Sequence, residues 1–235
     1  MNEIYSHGNI PIITGGTGFY IQALLYDIDF KENNEKNPIR KELEQLAKEL
    51  GDKAPGALHE KLSHIDPEAA RQIHANNIKR VIRAIEYFEQ TGEKISEHNE
   101  EMHQKESPYN FLYYVLTRDR KTLYERIDKR VDIMIANGLV KEIEKLKAMG
   151  CHRGQTSMQG LGYKEILDYL DGSCTLDEAV YILKRDTRHF AKRQLTWFRR
   201  ERDVRWLDLD RYQGNTDLIL KDILKDCEEK RIVLK

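Results

Sequence analysis

Cysteine is scarce and unpatterned. The 235 residues hold three, Cys151, Cys174 and Cys227, an odd number with no CxxC pair and no Cys/His spacing. That argues against a disulfide framework and a structural zinc, and makes a reducing cytosol the expected setting. Long apolar runs are missing as well. None approaches the roughly 18 residues of a membrane span, and no basic stretch followed by an apolar one marks a secretion signal. No GxxxxGK[ST] occurs anywhere in the chain, so there is no P-loop lysine to receive a nucleotide. Internal repeats and low-complexity tracts are also absent.

Strand signals are few. Three short runs rich in β-branched and aromatic residues, 10–14, 111–117 and 204–209, read as strands. Pro11 near the start of the first sits where a missing ladder donor is best tolerated. Most of the rest reads as helix. Between the first two strands lie about ninety residues without a strand signal, with helices expected at 38–50, 57–62, 66–74 and 77–90. Asp66-Pro67-Glu68 places a cap, a first-turn proline and an early acid in the preferred order, and Thr91-Gly92 closes the fourth helix. Downstream, Leu123, Ile127, Val131, Met134 and Ile135 share one helix face until Gly138 interrupts it. Residues 217–235 read as a last amphipathic helix. Three strands make a poor parallel sheet, which leads to the expectation that further strands belong upstream of Met1.

What is abundant is charge: 34% of residues are charged against 40% hydrophobic, and mean hydropathy is −0.71. The composition is that of a soluble globular protein. The net charge of −1 conceals an asymmetry, because residues 184–205 carry nine Lys/Arg against three acids. A concentrated basic segment in a nearly neutral chain points to a localised anionic partner.

Four constellations bear on chemistry. Gly15-Gly16-Thr17-Gly18 lies between the first strand and a helix, where amides and a hydroxyl can meet an anion; a tight turn with a Thr cap is the plain alternative. Lys79, Arg80 and Arg83 group near the start of a helix whose buried stripe is Val81, Ile85 and Phe88. Cations there oppose the macrodipole unless an external anion compensates, although a solvated face has the same pattern. Arg126 and Arg130, one turn apart, can clamp a phosphate with their planar forks, or simply pair with Glu125 or Asp128.

The fourth is the basic helix itself. Lys184, Arg188 and Lys192 form one row; Arg185, His189 and Arg193 form the next, with only Asp186 offsetting them locally. Such rows can follow a nucleic-acid backbone, with Gln194 and Trp197 as a base-edge reader and a stacking plane. Burial of Trp197 in a core is the alternative and the expected outcome. Residues 157–165 read as a glycine-containing loop entering a helix.

Taken together, PIITGGTGFYIQALL, IKRVIRAIEYFEQTG, LYERIDKRVDIMIANGLVKEIEKL, QGLGYKE and TRHFAKRQLTWFRR resemble the tRNA dimethylallyltransferase (isopentenyltransferase) family, in family order from Pro11 to Arg200. The resemblance implies an α/β, P-loop-NTPase-like parallel-sheet core formed by 1–37 and 109–235, with a helical tRNA-binding insertion over 38–108. It implies transfer of a dimethylallyl group from dimethylallyl pyrophosphate to N6 of the adenine 3′ of the anticodon, with Mg²⁺, by a monomeric cytoplasmic enzyme. Thr17 would stand beside the reacting amine and Arg130 would hold the pyrophosphate, with Gly15, Gly16 and Arg126 around it.

The tRNA-contacting residues implied are Arg40, Lys79, Arg80, Val81, Ile82 and Arg83, then Gln159, Gly160, Leu161, Gly162, Tyr163 and Lys164, and finally Arg188, Lys192, Arg193 and Gln194. Gln159 stands where many relatives have arginine. The family's P-loop and its DSxQ aspartate, the general base and a partial source of Mg²⁺ ligands, have no match in this sequence. The expectation is a truncated member, inactive alone. An RNA-binding helical module without chemistry and a nucleotide-kinase relative are the competing readings.

Overall fold

The computed structural model describes residues 1–28 and 38–232. It divides into two compact units, Met1–Gly18 with Asn110–Lys235, and Phe19–Tyr109.

The second unit is helical. α2 (Gly18–Leu25) leads into it from the first unit. α3 (Pro38–Leu50), α4 (Ala54–Ile65), α5 (Pro67–Gln72), α6 (Ile78–Thr91) and α7 (Ile95–Gln104) follow. Apolar residues at helical spacing on α4 and α6 meet in one core, in which Leu58, Leu62, Val81 and Ile85 are fully buried. The caps act as the sequence suggests. Asp66 accepts the Ala69 amide at 2.9 Å to open α5, and Gly92 at φ 72° closes α6 in a conformation other residues rarely adopt. Asp66 also accepts the amide and hydroxyl of Ser96, at 2.9 and 2.7 Å. That fastens α7, a helix that hydrophobic periodicity did not mark because it buries no residue.

The assignment of residues 1–37 to the α/β part is corrected in one respect: Phe19 to Ile28 fall in the helical unit, while 29–37 lie outside the described residues. The reason is local. The Ser107 hydroxyl donates to the Leu25 carbonyl and the Lys105 ammonium to that of Asp27, which ties the end of α2 to the chain just before the first strand.

The first unit begins with a single turn, α1 (Asn2–Ser6). Its sheet has two strands among the described residues, β1 (Tyr113–Thr117) and β2 (Val204–Asp208). They run parallel with Tyr113 opposite Val204 and Thr117 opposite Asp208. Between them come α8 (Arg120–Ala136), α9 (Leu139–Ala148), α10 (Tyr163–Leu170) and α11 (Leu176–Phe198); α12 (Thr216–Glu229) follows. Ile143, Met158, Ile166 and Leu183 fill the core of this helical crossover. Thr175 and Glu178 form a capping box that starts α11.

Residues 10–14 are not a strand. A strand exists through its neighbours; this segment joins neither β1 nor β2, and Ile12 is left 85% exposed. Of the tail 217–235, the part to Glu229 is helical and residues 233–235 lie outside the described set. No helix among the described residues is long and apolar enough to cross a membrane.

Candidate functional site

The glycine turn sits against α11. The Gln194 side-chain amide donates to the Gly16 carbonyl at 2.6 Å. A Cβ added at Gly16 would lie 2.1 Å from that same nitrogen, and one at Gly18 would lie 2.2 Å from the five-membered ring of Trp197. None of the turn glycines has a positive φ, so the absent side chain, not backbone freedom, is what the packing requires. At Gly15 an added Cβ meets nothing within 4 Å. Gly15 and Thr17 are exposed. Two of the three glycines therefore serve contact with α11, where the sequence suggested contact with a ligand. Trp197 is 37% exposed instead of buried. The indole edge meets backbone at Gly18, a neighbour with no side chain to cover the rest of the ring.

Farther back on α11, the cation rows are partly spent. Arg188 holds Asp128 of α8 with both carboxylate oxygens, at 2.5 and 2.7 Å, and Lys184 holds Asp132 at 2.6 Å. Arg185 turns to Asp186 at 2.9 Å. Offsetting acids thus come from α8 as well as from Asp186, and the first row is an interhelical ladder over half its length. Arg193 lies over the Phe190 ring at 5.8 Å. Lys192 is exposed and in no ion pair among the described residues.

On α8 the same ladder sorts the charges. Asp128 and Asp132 lie to one side of buried Val131; Arg126 and Arg130 lie to the other. Asp128 is taken, so the alternative in which it pairs with these arginines does not hold. Arg126 and Arg130 are exposed and in no ion pair among the described residues. Gln194 and Arg188 are six residues apart, so the seat of the glycine turn and the seat of Asp128 are separated by about 9 Å along α11. The helix carries both segments.

The carboxyl ends of β1 and β2, where open α/β sheets place their ligands, gather further charge. Asp210 accepts the Asp119 amide at 2.7 Å and Arg118 at 2.8 Å. Together with the charge of Arg126 they hold its carboxyl below the usual range, against a smaller opposing effect of burial. An open cleft of about 570 Å³ beside them is walled by Asp119, Arg120, Tyr124 and the Asp128–Arg188 pair. Thr17 and Arg130 are not among its lining residues.

The loop at 157–165 is largely self-satisfied. Gln159 donates to the Arg153 carbonyl, and the Tyr163 hydroxyl donates to Glu142, which raises the Tyr163 pKa. Lys164 pairs with Glu165 at 3.3 Å and Asp186 at 3.8 Å. Gly162, at φ 97°, gives its amide to buried Glu165 at 2.8 Å, and Leu161 packs on the core. Gly160 is exposed.

In the helical unit, Lys79, Arg80 and Arg83 are exposed and in no ion pair among the described residues. Val81 and Ile82 are corrected. They are 0% and 3% exposed, because they carry the core stripe of α6, and their side chains are not available to a partner. Arg40 is held by Glu44 at 3.4 Å and by buried Glu86 at 3.7 Å.

A model of the IPP transferase family matches residues 1–201. The chain belongs to that family. The tRNA dimethylallyltransferase of Lachnoclostridium phytofermentans is 59% identical over 233 residues, which cover 99% of this chain and 73% of that protein. Among solved structures, the full-length tRNA isopentenylpyrophosphate transferase of Bacillus halodurans is 42% identical with a TM-score of 0.64; the match covers 98% of this chain and 71% of that one. A eukaryotic dimethylallyltransferase acting on tRNA is 26% identical with a TM-score of 0.74, over 97% of this chain and 59% of that one. These proteins share a mostly helical α/β fold with this chain, whose own described sheet is small and parallel.

The roles of Asp128, Asp132 and Gln194 were missed in the sequence. A signal for the first two was present: acids four apart on one helix, and cations four apart on another. Nothing local marks Gln194 as the partner of a glycine 178 residues away.

Proposed function

We propose that this chain supplies the RNA-gripping and leaving-group part of a tRNA-modifying transferase, one that moves a dimethylallyl group from dimethylallyl pyrophosphate to N6 of the adenine 3′ of the anticodon. The observation that carries this reading is the 59% identity, across almost the whole chain, to a tRNA dimethylallyltransferase. A P-loop-NTPase-like core is part of the same proposal.

The chemistry sets the demands. The exocyclic amine of adenine is a weak nucleophile because its lone pair is delocalised into the ring. The base is also stacked in the anticodon loop, so it is turned out before reaction. Rate comes from positioning the amine against the allylic carbon and from stabilising charge on the departing pyrophosphate. Arg130, with Arg126 one turn away, offers two unspent guanidinium forks for that pyrophosphate. The Thr17 hydroxyl orients the amine. Lys79, Arg80 and Arg83 on α6, with Lys192 and Arg193 on α11, hold phosphates of the RNA.

Magnesium, which the resemblance implies, would neutralise charge on the departing pyrophosphate. Among the described residues no group of three metal-ligating side chains converges, so these residues do not form a cage for it.

The assay is prenyl transfer to an anticodon stem-loop by the 235 residues, with and without an added N-terminal segment bearing GxxxxGK[ST] and DSxQ. The 235 residues alone are expected to bind the stem-loop and transfer little or nothing, because they contain neither motif. The extended protein is expected to turn over, and Arg130→Ala in it to lose turnover with RNA affinity little changed. Transfer by the 235 residues alone would refute the inactivity. An equal loss of RNA binding would refute the role of Arg130.

A further inference from the structure

The two contacts that seat the glycine turn have no place in a list of RNA or pyrophosphate ligands. One is a short hydrogen bond from the Gln194 amide to the Gly16 carbonyl. The other is the Trp197 indole packed where a Gly18 side chain would stand. Gln194 and Trp197 are three residues apart, so they share one face of α11. They bracket the one non-glycine residue of the turn, Thr17. With its amide donated to Gly16, Gln194 is occupied within the protein.

We infer that Gln194 and Trp197 are positioning residues, which lock the turn to α11 and so set where the Thr17 hydroxyl stands. This rests on the reading above, in which Thr17 orients the reacting amine. The physical logic is that a turn rich in glycine, with Gly15 and Thr17 exposed, is otherwise free to sample many conformations. Among the described residues its neighbours Ile12 and Ile13 join no ladder. Two contacts from one rigid helix remove that freedom. The same helix carries Lys192 and Arg193, so an RNA held by those cations and the Thr17 hydroxyl share one frame.

The test uses the 235-residue chain in a Trp206→Phe background, leaving Trp197 as its one tryptophan. Gln194→Glu keeps the shape but replaces the donor with a second acceptor facing the Gly16 carbonyl. Gly18→Ala forces the indole away. Hydrogen–deuterium exchange of a peptide spanning 14–19 and acrylamide quenching of Trp197 are read beside the melting temperature. Both variants are expected to speed exchange of the turn by about fivefold, the loss of one ordinary hydrogen bond or packing contact. Quenching should rise in both, and the melting temperature should stay within about 2 °C. Gln194→Lys, which restores a donor at comparable reach, should recover most of the protection.

Unchanged exchange in both variants would overturn the inference. A fall in melting temperature that accounts for the faster exchange would do so too, because it would make the contacts merely structural. A separate arm, anisotropy of a labelled stem-loop with the unmutated chain, tests the functional reading itself. No binding there sinks that reading while leaving the seating of the turn as measured.

Discussion

The start of α6 and the length of α11 look alike on paper, each a helix face crowded with lysine and arginine, yet the fold treats them differently. On α6, Lys79, Arg80 and Arg83 keep their charge unspent among the described residues, and the one acid of that helix buried nearby, Glu86, takes Arg40 from α3. On α11, the first half of the row is neutralised by Asp128 and Asp132 of α8, and beyond it Lys192 and Arg193 stay clear of ion pairs among the described residues. Cation stripes read from one helix overcount the charge on offer, because the compensating acids arrive on another. A surface for RNA is what is left after those pairs are subtracted.

The largest effect should follow from reversing the unspent charges of α6. Lys79→Glu with Arg83→Glu is expected to weaken binding of an anticodon stem-loop by at least about thirtyfold. It should also flatten the dependence of log K on log salt by roughly 1.4 to 1.8, the loss of two phosphate contacts. Anisotropy titrations from low to moderate salt measure both. Core packing is not at stake, since these side chains point away from the stripe of Val81 and Ile85. A weaker affinity with an unchanged salt slope would remove α6 from the RNA surface.

Lys192→Glu with Arg193→Glu comes next, at roughly tenfold. Arg193 already shares its charge with the Phe190 ring, so part of the loss is intramolecular. The same titration applies, and an unaltered slope would leave α11 without an RNA role.

That ranking depends on three-dimensional facts the sequence carries unevenly. Elements set by local chemistry were legible. The helix over Pro38–Leu50 matches at both ends, Asp66 caps α5 where an aspartate before a proline should, and Gly92 closes α6. Elements that depend on a distant neighbour were not. Residues 10–14 have strand composition but no strand beside them among the described residues, and α7 is held by Asp66 from thirty residues upstream, not by an apolar stripe of its own. For the site, Arg126 and Arg130 stand clear as their spacing allowed. Arg188 and Gln194 were instead claimed by Asp128 and Gly16, partners 60 and 178 residues away.

The acids of the two units sharpen the contrast at a smaller scale. Asp66 is 1% exposed. Burial alone would raise its pKa, but bonds from Ala69 and from the hydroxyl and amide of Ser96, aided by the charge of Lys94, outweigh it and leave the carboxyl below its ordinary 3.8. A depressed folded pKa stabilises the fold above the unfolded value, and that contribution is lost as pH falls through the folded one. Asp66→Asn turns an amide toward the Ser96 N–H. It should lower protection of the helical unit at neutral pH by about fivefold in hydrogen exchange. The gap should close well below pH 3.8, where the wild-type carboxyl is protonated too. A gap that persists unchanged into acid would show that the carboxylate charge is not what matters.

The smallest effect is the most discriminating. Arg188 was a reasonable RNA ligand by position, one turn from Lys192 on a basic row. In the fold its guanidinium is engaged by both oxygens of Asp128, with 25% and 38% of the two side chains exposed. A pair so placed contributes about 1 kcal/mol or less, so Arg188→Ala should lower the melting temperature by only a few degrees. Because the charge removed was already neutralised, stem-loop affinity should change by less than about twofold and the salt slope should not move. Freed Asp128 then adds a negative charge to α8, which makes any residual change a slight weakening. If Arg188→Ala instead flattens the slope as Lys192→Glu with Arg193→Glu does, Arg188 exchanges Asp128 for a phosphate when RNA arrives. The distinction between spent and unspent cations on α11 would then vanish.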